Sequence, residues 1–211
     1  MRAMVESAAV SDRSFIRFGG LAGILLAITS WAAVVAYYTV AGGGQDVVGL
    51  QVFQFLYGLI AFWALFGIVA VYWVIRTQGE AWAFFATLVG AVASIGTMTA
   101  SLYQISAIRA ALLANPGAAA PSSASPTDPL NVMTFGLTGL WFLIANILLW
   151  RAAMPRLLVL LGFVAVADLF AGFFGSLSGQ GGLVTLAGVV AGAVGGPLYW
   201  LWLGIHLRRM A

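Results

Sequence analysis

Apolar positions in this chain come in six long blocks, separated by short stretches rich in arginine, acid, glycine and proline. The blocks run over Phe18–Val40, Val52–Ile75, Ala81–Ile108, Pro129–Trp150, Leu157–Phe174 and Leu183–Leu207. Each approaches or exceeds the roughly 20 residues that a helix needs to cross a bilayer. Asp168 is the one formally charged residue inside them. A buried core helix explains one such block in a soluble protein but not six in 211 residues. The pattern predicts an all-α membrane protein, a six-helix transmembrane bundle in a single domain over residues 18–207.

Boundary residues agree. Gly79 can close the second helix, and Glu80 sits at the positive end of the third. Asp128 followed by Pro129 reads as N-cap and first-turn proline of the fourth, and Pro155 plays the same part for the fifth. Asn115-Pro116 should stop the third helix, which is expected to extend past the membrane to about Leu113. Residues 1–17 are expected to form a polar tail, 110–127 a mobile outer loop, and 208–211 a short C-terminal tail. The first block is too long for a signal-peptide core and is expected to be retained.

Charge sets the orientation. With the N-terminus in the cytoplasm, Arg2, Arg13, Arg17, Arg76, Arg151, Arg156, Arg208 and Arg209 lie inside, and only Arg109 lies outside. That bias follows the positive-inside rule and predicts cytoplasmic N- and C-termini. Tyr199, Trp200 and Trp202 should then approach the cytoplasmic interface with Tyr72, Trp73, Trp82 and Trp150. His206 should be solvated beside Arg208 and Arg209. The scattered arginines form no stripe for nucleic acid.

Between helices in lipid, close packing and polar contacts decide association. Gly188, Gly192 and Gly196 give the last helix one smooth face, and Gly19 and Gly23 do the same for the first, with Ala27 and Ser30 continuing it. Thr87, Gly90, Ser94, Thr97, Ser101 and Gln104 form a small and polar seam on the third helix. This seam should face protein, either as packing or as the lining of a narrow path. The glycine face of the last helix could equally join a second copy, so a homo-oligomer or a membrane-complex partner is an expectation beside the lipid bilayer itself.

Gly195-Gly196-Pro197 interrupts the last helix. Proline lacks an N–H and frees the carbonyl four residues earlier, that of Ala193, which needs another partner in lipid. A kink or short unwound segment is expected. Asp168 lies 12 residues beyond Arg156, about 18 Å along a helix and near mid-membrane. Ser94, Thr97 and the Gly195–Pro197 break lie at similar depth. These six residues make a candidate midplane polar site, with Asn146 and Gln104 as weaker candidates. An intramembrane acid is costly and is a functional-site hypothesis by default.

The inventory excludes much else. There is no cysteine and no lysine, which removes thiol chemistry, a Schiff base and a P-loop. A single histidine cannot ligate a transmembrane b-type haem, and the six acids are too dispersed for zinc. Neither a paired-aspartate nor a rhomboid-like intramembrane protease motif is present. No catalytic residue, metal site or cofactor is expected.

The stretches "RFGGLAGILLA" and "GGPLYWLWLGIHL" resemble those of poorly characterised small six-helix bacterial integral membrane proteins. The resemblance implies a bacterial cytoplasmic membrane and an all-helical fold. Two function classes follow. One is a non-catalytic accessory or sensory subunit that binds lipid or partners. The alternative is a small permease or channel for a neutral or protonatable solute using the Asp168 site. The small-molecule ligand of either is not specified by the sequence.

Overall fold

The computed structural model describes residues 2–42, 46–114 and 127–211. Helix α1 (Arg2–Val35) ends in a π-helical turn, Ala36–Val40. Helix α2 covers Val47–Ile75 and tightens into a 3-10 turn, Arg76–Gln78. Helix α3 covers Glu80–Ala114. A π-helical segment, Val132–Leu137, leads into α4 (Thr138–Arg151), and α5 covers Arg156–Leu177. The last span is one continuous helix in three parts: α6 (Gly181–Val189), a π-helical segment Val190–Gly195, and α7 (Gly196–Met210). Six helices are therefore long and apolar enough to cross a membrane.

Several boundaries differ from the expected ones. Helix α1 begins at Arg2 rather than near Phe18, because no glycine or proline stands before Gly19 to stop it. Helix α3 runs through Ala110 to Ala114, into the expected loop; Asn115-Pro116 and the rest of that loop up to 126 lie outside the described residues. The fourth span starts at Val132, after a turn over Pro129 and Leu130. Asn131 makes that turn at φ 54°, a left-handed conformation that asparagine tolerates. Asp128 still serves the helix start, accepting from the backbone N–H groups of Met133 (3.1 Å) and Thr134 (2.9 Å). Pro155 stands just before α5 as its N-cap residue.

Close approach of backbones holds the termini's end of the bundle together. Helix α1 packs on α2 and α7. A Cβ on Gly19 would strike Ala70, and one on Gly20 would lie 2.6 Å from the Gly204 carbonyl oxygen. Gly23 lies against Trp200 and Gly204. Such contacts substitute for the hydrophobic force that lipid removes. Arg17, Arg208 and Arg209 gather at this end around one recess. Arg76 caps the face of Trp73, 4.0 Å from the ring centre.

Tyr199 and Trp200 turn into the bundle rather than outward. They are 0% and 5% exposed and belong to the core with Trp141, Phe142, Leu203 and Leu207. Trp141 and Trp200 stack in parallel, 5.3 Å apart with planes 2° from parallel. Glycines make the room: a Cβ on Gly90 would lie 2.6 Å from Trp141, and Gly67 faces the edge of Trp200. Trp82, Trp150 and Trp202 remain exposed.

Candidate functional site

Among the described residues, the half of the bundle away from the termini leaves an open space. A cavity of about 730 Å³ lies there between α1, α2, α3, α5 and the last span. Its first wall is the α3 seam: Gly90, Ser94, Thr97, Ser101 and Gln104 all line it. The seam faces inward as its spacing predicts, with α4 closing on it at Gly90 and α2 at Ser101, opposite Gly58. Thr87, one turn towards the termini, does not line the cavity and bonds back to the Ala83 carbonyl at 2.8 Å.

The second wall is the glycine face. Gly188, Gly192 and Gly196 line the cavity, and a Cβ added to Gly188 or Gly192 meets nothing within 4 Å. Among the described residues no side chain or backbone of a neighbouring helix closes on the Cβ positions of these two, unlike those of Gly19 and Gly23. Helix α1 packs along α7 and reaches the π segment but has no comparable packing with α6. A gap follows between α1 and α6, bordered by the exposed residues Thr185, Gly188 and Val189.

Trp141, Phe142 and Trp200 form the floor. The mouth carries Tyr37, Phe53 and Tyr57 from α1 and α2, and Asp128, Asn131 and Ser176 from the opposite side. Asn131 donates to the Ser176 hydroxyl at 2.8 Å, tying the start of the fourth span to the end of α5.

The six residues of the expected midplane site are thus divided. Ser94, Thr97 and Gly196 line the cavity; Asp168, Gly195 and Pro197 do not. Asp168 is half-buried at the junction of α5 with the last span, where the Ala191 backbone interacts with its carboxyl group. Its Oδ2 is buried with no hydrogen-bond partner. Ser94 and Thr97 belong to the cavity wall and leave that oxygen unserved.

Of the weaker candidates, Gln104 lines the cavity. Asn146 does not: it is fully buried, donates to the Phe142 carbonyl at 2.7 Å, and sits in the space left by Gly162. Tyr199 donates its hydroxyl proton to Asn146 Oδ1 at 3.4 Å. Asn146 is a packing residue between α4, α5 and α7.

The Gly195-Gly196-Pro197 break neither unwinds nor opens the helix. The backbone widens into a π turn in which the Gly196 N–H donates to the Ala191 carbonyl. The carbonyl that Pro197 cannot serve, that of Ala193, accepts from the Trp31 indole N–H at 3.0 Å.

The floor tryptophans and the mouth aromatics escaped sequence reasoning. Their signal was the pairing of Gly67 and Gly90 with large rings on other helices, which only three-dimensional contact reveals. Chemically, the lining offers hydroxyls, amides, aromatic faces and one carboxylate, with no basic side chain. Among the described residues no three His, Asp or Glu side chains converge on a metal-sized site. Comparison with known protein families, with curated proteins and with solved structures finds no match for this chain.

Proposed function

We propose that this protein is a non-catalytic membrane subunit, accessory or sensory in role, that takes a small amphipathic molecule such as a lipid into the cavity. The observation that carries this reading is the open glycine face: Gly188 and Gly192 border about 730 Å³ of space, and a Cβ on either would meet nothing within 4 Å. Glycine in a helix interior is unfavourable by about 0.5–1 kcal/mol against alanine, so two of them on a face without helix packing ask for another use. Space for a guest is such a use. The lining is apolar with a few placed polar groups, the usual make-up of a small-molecule site. The gap between α1 and α6 gives an acyl chain a way in from the bilayer.

The permease reading is weaker. A through-path would have to pass the Trp141–Trp200 stack, and Asp168 stands off the cavity. The arginine bias supports cytoplasmic termini, and the resemblance of the terminal stretches supports a bacterial cytoplasmic membrane. On that orientation the cavity opens in the outer half of the bilayer.

The test is to fill the space. Gly192→Leu starts a side chain into the space beside Gly192, where a Cβ meets nothing within 4 Å. Native mass spectrometry of the protein released from nanodiscs should show bound lipid on the parent chain and its loss from Gly192→Leu, with an unchanged thermal midpoint. Equal lipid retention by both proteins would sink the reading.

A further inference from the structure

We propose that the cavity mouth recognises an organic ammonium group, a protonated amine or quaternary ammonium carried on an apolar body. This rests on the reading of the cavity as a binding site and adds the chemical class of the guest.

Three observations converge. First, the rings of Tyr37 and Phe53 lie 5.2 Å apart and those of Phe53 and Tyr57 5.8 Å apart, and all three line the cavity. Aromatic faces gathered at one place attract cations through their quadrupoles, most strongly where water is excluded. Second, Asp128 supplies the single formal charge among the described lining residues, and Tyr57 shares that lining. No arginine or histidine lines the cavity to neutralise it. A lone negative charge in a poorly solvated site favours cationic guests and repels anionic ones. Third, the carboxylate keeps unused acceptor capacity. Each oxygen takes one backbone N–H, from Met133 and Thr134, whereas a carboxylate offers about four lone-pair sites.

The bare alternative is that Asp128 only caps the fourth span. Capping depends on acceptor geometry, whereas ammonium recognition depends on charge, so the two are separable. A primary or quaternary ammonium could come from a lipid headgroup or from a free solute, and the chemistry at the mouth is the same for both.

The experiment uses the full chain in nanodiscs of phosphatidylglycerol. Benzyltrimethylammonium and its neutral isostere neopentylbenzene are titrated against the fluorescence of the floor tryptophans, with empty discs as the blank. The cation should bind about tenfold more tightly than the isostere. Asp128→Asn should abolish that preference while leaving isostere binding in place, and Tyr37→Leu should weaken the cation selectively. Competition by added phosphatidylcholine would assign the ammonium to a lipid headgroup; no competition would assign it to a free solute. Equal binding of cation and isostere, or a preference that survives in Asp128→Asn, overturns the ammonium assignment while the cavity stands as a binding site. Binding of neither probe, with no lipid retained, overturns both.

Discussion

The Trp31 indole N–H donates to the Ala193 carbonyl, 3.0 Å away and 162 residues distant in sequence. Pro197 leaves that carbonyl without its helical partner, and a tryptophan on the first span supplies a donor. Trp31→Phe should therefore cost about 1–3 kcal/mol, the penalty of an unpaired buried polar group. Pro197→Ala restores an N–H one turn away, so the double variant should lose less than the two single losses added together. Thermal unfolding in detergent measures the four corners of this cycle; strict additivity would show that the contact carries no coupling.

The stacked pair at the floor makes a second prediction. Gly90→Ala places a methyl group 2.6 Å from Trp141, so the ring must shift and the parallel stack with Trp200 is disturbed. Overpacking of this kind costs about 1–3 kcal/mol. Near-ultraviolet circular dichroism should lose the band of the coupled indoles along with the fall in stability. An unchanged spectrum at unchanged stability would contradict the packing described.

Asp168 gives the third. Its Oδ2 is buried without a partner, and its side chain stays outside the cavity. Replacing a poorly satisfied polar group in an apolar setting by an apolar one of similar size is neutral to stabilising. Asp168→Leu should raise the unfolding midpoint or leave it unchanged, with lipid retention as in the parent. A marked loss of lipid or ligand binding would return this carboxylate to the functional site.

Much of the architecture was legible because bilayer thickness is a hard constraint. Six apolar blocks with one internal charge leave few folds open, and the α3 seam from Gly90 to Gln104 announced an inward face by spacing alone. What could not be read was which inward faces meet protein and which meet space. Gly19 and Gly188 look alike in sequence, yet a Cβ on the first would strike Ala70 and one on the second would meet nothing within 4 Å. Trp200 and Trp202 share composition and near-equal depth, but they differ by two residues, about 200° around a helix, and so differ in burial. Asp168 and Ser94 are both counted to mid-membrane, yet only Ser94 lines the cavity. Depth follows from counting; azimuth needs the packing of neighbours.

The π-helical segment at Val190–Gly195 has a consequence for how this chain tolerates changes of length. A π turn holds about one residue more than an α turn, and one residue is about 100° of rotation. Deleting a single residue there would let the ordinary period run through, swinging the Gly188 face away from the void and towards acyl chains while Trp200 kept its place. The angular phase between the two halves of the last helix is thus written in one surplus amino acid, and a frame-preserving deletion that looks conservative would empty the chamber of one of its walls.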